Sequence, residues 1–240
     1  MAQQQIVGIG GLGPDSLALF RFVTGLAGRP QPRVCLIPTA AADAPERTLA
    51  FYELSRDCGV IPSHLHLFNR QVADLRPFLL AHDVIFVGGG NTASMLAVWR
   101  AHGVDRILRE AWEEGIVLAG PSAGANCWFE ASVTDSFGPT LAPLLDGLGF
   151  LAGSFCPHYD SEAERRPTFT RLVAAGFPPG YAADDGVGLH FRGRELHEVV
   201  SARQDATAYR VEPGTEVALS MRLLQISGRS IDAALTPSQR

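Results

Sequence analysis

The sequence contains no apolar run as long as a membrane helix and no block of basic residues. A helix that crosses a bilayer takes about 20 consecutive apolar residues, and the apolar runs of this 240-residue chain are shorter. Lys and Arg number 20 against 25 Asp and Glu, which gives a formal net charge of −5. Neither a membrane nor nucleic acid is therefore a predicted partner. The first residues lack the regions of a secretory signal, so we expect a cytoplasmic location.

Cysteine is scarce, and its spacing does not fit a metal site. The four cysteines stand at positions 35, 58, 127 and 156, without a CxxC pair or a Cys/His ladder. Structural zinc sites need such spacings, so the sequence predicts no metal. No cofactor is predicted either. Apolar residues make up 46% of the chain, enough for one substantial core.

Alternating short apolar runs and helical patterns predict one α/β domain over residues 1–240. Predicted strands cover 5–9, 33–37, 84–87 and 116–119, and predicted helices cover 45–57, 92–101, 104–114 and 161–175. Strands that are apolar throughout favour a mostly parallel central sheet with helices on both faces. The segments 187–191, 195–201, 207–211 and 217–222 predict antiparallel strands in the C-terminal part. Residues 228–240 predict a frayed polar tail.

The strongest chemical motif is GPSAG at residues 120–124, between a predicted strand and a helical segment. This G-x-S-x-G pattern is typical of a sharp turn that exposes a nucleophilic serine, here Ser122. The backbone N–H of Ala123, at the start of the helix, can then face a developing oxyanion. The alternative is a tight turn in which the serine only caps the helix.

A second glycine loop, VGGGNT at residues 87–92, also follows a buried strand and precedes a helix. Glycines let backbone N–H groups approach a ligand closely, and Gly89 is the predicted second oxyanion donor. Asn91 is a candidate substrate-binding residue, and a helix cap is its alternative role. Both glycine loops are expected at the carboxyl ends of parallel strands, where ligands bind.

A nucleophilic serine needs a base and an acid that orients the base. Among seven histidines, His158 is favoured, because it follows a predicted strand within FCPHYD at residues 155–160 and precedes a helix. His190 and His197 have no special local context, and the other histidines stay open as alternatives. The candidate acids are Asp135, Asp160, Asp184 and Asp185.

Taken in order, the motifs GGGNT, GPSAGAN, PHYD and DDG resemble the peptidase E family over residues 5–205. These are serine peptidases with a fold similar to class I glutamine amidotransferases. The resemblance implies Ser122 as nucleophile, His158 as base, and the N–H groups of Gly89 and Ala123 as the oxyanion hole. It places Asp185 as the third triad member, where the family carries glutamate. It also matches Asp135 to a family acid near the site.

The resemblance implies short peptide substrates, since the family includes aspartyl dipeptidases that favour an N-terminal Asp. Arg165 and Arg166 are the predicted clamp for that carboxylate, because guanidinium binds carboxylate in a bidentate way. Their alternative is a solvated helix face paired with Glu162 and Glu164. Cyanophycinase-like or isoaspartyl-peptide specificity, and a catalytically silent homologue, remain alternatives. A homo-oligomer is compatible with the sequence.

The segment GIGGLG at residues 8–13 fits the dinucleotide-binding pattern G-x-G-x-x-G. The next predicted strand ends in Pro38 and Thr39, without the acid that holds the ribose hydroxyls of NAD. The sequence therefore favours a hydrolase over a nucleotide-binding oxidoreductase.

Overall fold

The computed structural model describes residues 3–13 and 16–225, and an eight-stranded sheet forms its centre. The strands of this sheet are β1 (Gln5–Ile9), β2 (Arg33–Ile37), β3 (Ile61–His64), β4 (Val84–Val87), β5 (Val117–Pro121), β10 (Val187–Arg192), β11 (Glu195–Ser201) and β14 (Met221–Leu223). Their order is β14-β11-β10-β1-β5-β4-β2-β3. The five neighbouring strands β1, β5, β4, β2 and β3 are parallel to one another, whereas β10 runs antiparallel to β1 and β11. The predicted fold class is confirmed.

Helices cover both faces of this sheet. They are α1 (Ser16–Gly25), α2 (Pro45–Arg56), α3 (Leu75–Leu80), α4 (Thr92–His102), α5 (Val104–Glu113) and α6 (Ala123–Asn126), whereas α7 (Arg165–Ala174) packs against the second sheet described below. Successive residues of β4 point to opposite faces. Val84 and Phe86 pack with α1 and α2, while Ile85 and Val87 pack with α3, α4 and α5. A strand buried on both sides therefore reads as a continuous apolar run, which is why its bounds were predictable.

A second, six-stranded sheet was not predicted. It contains β6 (Phe129–Thr134), β7 (Ala142–Leu144), β8 (Leu151–Cys156), β9 (Gly180–Ala183), β12 (Ala208–Glu212) and β13 (Thr215–Ala218). The rings of Phe129 and Phe155 stack at 5.1 Å, and Phe129 also meets Phe191 of β10 edge-on at 5.8 Å. The core is therefore continuous from one sheet to the other.

The strand predicted over 217–222 is wrong as one element. It is two strands in different sheets, because β13 pairs with β12 while β14 pairs with β11. The chain leaves one sheet for the other around Leu219, whose N–H donates to the carbonyl of Ala208 at 2.8 Å. The predicted tail over 228–240 lies outside the described residues. Every helix within the described ranges is too short or too polar to cross a bilayer.

The carboxyl ends of three parallel strands lie side by side and fix the position of the functional loops. The strand β5 pairs with β1 on one side and with β4 on the other. The loop that starts at Gly10, the turn at Ser122 and the loop that starts at Gly88 therefore meet at one edge of the sheet. This is the edge at which open α/β sheets bind ligands.

Candidate active site

Ser122 occupies a strained turn between β5 and α6. Its φ of 54° and ψ of −115° lie in a region that residues with a side chain rarely adopt. The backbone holds this conformation because the N–H of Ser122 donates to the carbonyl of Ile9 at 3.0 Å. Gly120 and Gly124 make the turn possible, since a Cβ on either would lie 2.3 Å from the carbonyl oxygen of Val87. This is the geometry of a nucleophile elbow.

His158 and Asp185 are hydrogen-bonded beside this turn. The Nδ1 of His158 and Oδ1 of Asp185 are 2.7 Å apart, and both side chains are about one-fifth exposed, at 22% and 23%. A carboxylate can only accept, so Nδ1 carries the proton and Nε2 of a neutral ring is left as the acceptor. Ser122 and His158 line one cavity of about 330 Å³. The arrangement therefore places a serine and a carboxylate-bound histidine on the same cavity.

The parallel ends of β8 and β9 bring this pair together. His158 follows β8, and Asp185 follows β9 after one intervening residue. The two strands run parallel, and the N–H of Tyr159 donates to the carbonyl of Ala183 at 3.1 Å. His158 has a φ of 53°, so it too stands in a sharp turn.

The three acids weighed near His158 have different partners. Asp160 accepts the backbone N–H of Asp185 at 2.8 Å and a guanidinium N–H of Arg203 at 2.7 Å. Burial acts to raise the pKa of Asp160, but these two hydrogen bonds hold it below its ordinary value. Asp184 is 4% exposed and accepts the N–H of Thr207 at 3.0 Å, and burial raises its pKa. Asp185 is the acid in contact with His158.

The glycines of the GIGGLG segment make room for this pair. A Cβ on Gly11 would lie 1.9 Å from Oδ1 of Asp185 and 2.7 Å from Cε1 of His158. The carbonyl of Gly11 accepts the N–H of Gly186 at 2.9 Å, which ties the loop to the turn that carries Asp185. The sequence analysis missed this role. The glycine pattern has a local explanation that involves no dinucleotide.

The second glycine loop lies against the nucleophile. A Cβ on Gly89 would be 3.5 Å from Cβ of Ser122, which is van der Waals contact, so this loop packs directly against Ser122. The N–H groups of Gly88 and Asn91 bond to carbonyls of Ile37 and Ala40 at 3.0 and 2.8 Å. Those of Gly89 and Ala123 have no acceptor among the described residues. Two free backbone donors therefore flank Ser122.

Asn91 and Asp135 do not line the cavity. The side-chain oxygen of Asn91 accepts the N–H of Ser94 at 2.8 Å, and its amide donates to the carbonyl of Ser136 at 3.0 Å. Asn91 thus caps α4, the alternative role considered for it. Asp135 is exposed on the segment that Asn91 contacts. The structure gives neither residue a contact with the cavity that Ser122 lines.

The predicted arginine clamp is also not at this cavity. Arg165 is 3% exposed and donates to the carbonyl of Val133 at 2.9 Å and to Glu162 at 2.7 Å. Arg166 pairs with Glu216, and its guanidinium lies 4.8 Å from the ring centroid of Tyr209. Both guanidinium groups already have partners, so neither arginine is available to bind a substrate carboxylate at this cavity.

Arg47, which the sequence analysis missed, lines the cavity instead. It lies in the first turn of α2 and is exposed, and its guanidinium has no hydrogen bond or ion pair with any described residue. The cavity wall next to it is apolar and includes Leu36, Phe51, Leu54 and Phe86. One unpaired cation in an apolar cavity suits a ligand that carries one carboxylate.

Comparison with known proteins points to a peptidase family. The model of peptidase family S51 matches residues 12–199. An uncharacterized peptidase of Bacillus subtilis (strain 168), YgaJ, is 49% identical over 213 residues, covering 87% of this chain and 92% of that protein. Peptidase E of Pasteurella multocida (strain Pm70) is 31% identical over 124 residues, 47% of this chain and 52% of that one.

Solved structures show the same fold. A peptidase from an acI-B1 actinobacterium superposes with a TM-score of 0.66 at 20% identity, covering 91% of this chain and 95% of that chain. A peptidase E protein from Listeria monocytogenes EGD-e gives a TM-score of 0.61 at 20% identity, with 88% and 100% covered. Fold, elbow and relatives together define a serine-type peptidase. The chain belongs to peptidase family S51.

The fit of Gly11 against the His158–Asp185 pair gives a first prediction. Gly11→Ala should reduce kcat/KM for peptide hydrolysis by about 100-fold, because the added methyl group displaces the pair by roughly 1 Å. Gly13→Ala is the matched control, since a Cβ at that position meets nothing within 4 Å. Equal activity of both variants, with folding checked by circular dichroism, would contradict the packing described here.

Proposed function

We propose that this chain hydrolyses short peptides through a triad of Ser122, His158 and Asp185. The observation that carries the proposal is the 2.7 Å contact between His158 and Asp185 on the cavity that is lined by the strained Ser122. A carboxylate on Nδ1 fixes the tautomer in which Nε2 can accept the serine proton. The triad steps themselves need no metal or cofactor.

The proposed reaction proceeds through an acyl-enzyme. The Oγ of Ser122 attacks the carbonyl carbon of the substrate while Nε2 of His158 takes its proton. The carbonyl oxygen becomes an oxyanion that accepts hydrogen bonds from the N–H groups of Gly89 and Ala123. The imidazolium then protonates the leaving amine as the C–N bond breaks. A water molecule, activated by the same ring, releases the acid product and restores Ser122.

The proposed substrate has an N-terminal Asp followed by an apolar residue. Arg47 supplies the guanidinium for the Asp carboxylate, in place of Arg165 and Arg166. The apolar wall formed by Leu36, Leu54 and Phe86 suits the side chain of the second residue. A cavity of about 330 Å³ suits a dipeptide rather than a folded protein. The cytoplasmic location stays a prediction.

Hydrolysis of the dipeptide Asp-Leu tests the triad. Ser122→Ala and His158→Ala should each lower kcat by about 10⁴-fold or more, and the double variant should be no slower than either single one, because the two residues act as a unit. Initial rates measured with a ninhydrin assay, with folding checked by circular dichroism, give the comparison. Turnover that persists in Ser122→Ala would discard the serine mechanism.

The same assay separates the alternatives in substrate class. Hydrolysis of β-linked aspartyl peptides in preference to Asp-Leu would indicate an isoaspartyl-peptide or cyanophycinase-type enzyme. A folded wild-type protein that cleaves no peptide and fails to react with a serine-directed phosphonate would indicate a silent homologue.

A second substitution tests the proposed role of Arg47. Arg47→Met should lower kcat/KM for Asp-Leu by about 10- to 100-fold, the value of a charge-assisted hydrogen bond, while leaving Leu-Leu hydrolysis nearly unchanged. Arg166→Met is the matched control, because Arg166 contacts Glu216 and lies away from the cavity. The assignment fails if Arg47→Met slows both dipeptides equally, or if Arg166→Met shows the selective loss instead.

A further inference from the structure

Two histidines and a glutamate cluster on β10 and β11, away from the residues that line the cavity. His190 is fully buried, Glu198 is half-buried and His197 is exposed. One ring nitrogen from each histidine and one carboxylate oxygen of Glu198 lie within 4.8 Å of one another. Ligands of Zn²⁺ stand about 2.0–2.2 Å from the ion, so small side-chain rotations bring these three atoms to a common ion.

A β-bulge puts the three side chains on one face. His190 pairs with Glu198, but the next pair is Phe191 with Leu196, so His197 is an extra residue in β11. Successive residues of a regular strand point to opposite faces, and a bulge redirects a side chain. The bulge thus explains why two consecutive residues, His197 and Glu198, both place a possible metal-ligand atom near His190.

One ring nitrogen of His190 faces a carboxylate oxygen, and the other hydrogen bonds of the ring leave no proton between these two atoms. The amide nitrogen of Gln5 donates to the carbonyl of Leu26 at 3.4 Å, so the amide oxygen of Gln5 faces Nε2 of His190 at 3.1 Å. Nε2 therefore carries the proton, and Nδ1 of the neutral ring has its lone pair directed at Oε1 of Glu198, 3.5 Å away. Two acceptors that face each other inside the protein are stabilised by a cation between them.

The remaining contacts of Glu198 and His197 leave their ligand atoms available to a metal ion. Arg222 donates twice to Oε2 of Glu198, at 2.9 and 2.6 Å, so Oε1 is free for another partner. Hydrogen bonds of this kind orient the carboxylates that bind metals. The ring nitrogens of His197 have no hydrogen-bond partner among the described residues, and the ring lies edge-on to His190 at 5.4 Å.

We propose that Nδ1 of His190, a ring nitrogen of His197 and Oε1 of Glu198 bind one divalent transition-metal ion such as Zn²⁺, with water completing the shell. Imidazole and carboxylate suit such ions. The site lies outside the cavity of the triad and does not depend on the proposed peptidase reaction. The sequence analysis predicted no metal, because residues 190, 197 and 198 match no zinc spacing and only the bulge brings them together.

The test is a titration of the full chain with Zn²⁺ by calorimetry, and with Co²⁺ by visible absorption. Cys58 is changed to Ser in every protein, because the other three cysteines are buried and cannot compete for the metal. We expect one equivalent of Zn²⁺ to bind. The absorption bands of bound Co²⁺ should be those of an ion with a low coordination number. His197→Ala and Glu198→Gln should each weaken binding at least about 100-fold, since loss of an outer partner alone costs 10- to 100-fold.

His102→Ala is the matched control, because His102 ends α4 and belongs to no such cluster. It should bind Zn²⁺ like the parent protein. His197 is exposed, so its replacement should leave the unfolding transition unchanged. Absence of stoichiometric binding, or affinity that is the same in His197→Ala and the parent, would overturn the proposal. So would ¹⁵N NMR showing His190 doubly protonated in excess Zn²⁺, since an imidazolium–carboxylate pair would then explain the contact.

Discussion

The hydrogen bond between His158 and Asp185 joins the loop after β8 to the turn between β9 and β10, and the rest of the site is arranged around it. Asp160 holds the backbone of Asp185 through its N–H, and Arg203 holds Asp160 in turn. On the other side, Gly11 contributes a backbone without a side chain, which leaves space for the ring of His158 and the carboxylate of Asp185. Four chain segments that are distant in sequence must therefore be in place before His158 can act as the proposed base.

Each of the two sheets contributes different residues to the site. The eight-stranded sheet supplies Ser122 and the free N–H groups of Gly89 and Ala123, because β4 and β5 end side by side. The smaller sheet supplies His158 and Asp185 from the ends of β8 and β9. The edge-on contact of Phe129 with Phe191 of β10, at 5.8 Å, fixes one sheet against the other. Dense packing of this kind holds Ser122 and His158 in fixed relative positions.

Features that depend on neighbours in sequence were predictable. The strand, glycine turn and helix around Ser122 form a local pattern, and four buried apolar runs gave strands within about two residues of their observed ends. The local sequence favoured His158, and the family resemblance singled out Asp185 among the candidate acids; the structure contains their contact. The six-stranded sheet was missed because its strands are not continuous apolar runs, and β8 is interrupted at Gly153, whose φ is 78°.

Features that depend on distant partners were not predictable. Arg165 and Arg166 form the same sequence pattern as a carboxylate clamp, but Val133 and Glu216, 32 and 50 residues away, occupy their guanidinium groups. Arg47 was overlooked for the converse reason, since only the tertiary structure shows that it faces the cavity without a partner. The bulge that joins His197 to His190 likewise appears only in the pairing of β10 with β11.

Proton NMR of the His158 ring tests the central claim most directly. The account predicts a low-field Nδ1–H resonance in the wild-type protein that is lost in Asp185→Ala and kept in Asp135→Ala, because Asp185 accepts that proton while Asp135 is exposed and makes no contact with the ring. A resonance that survives unchanged in Asp185→Ala would contradict it, because another group would then be holding the base that Ser122 needs.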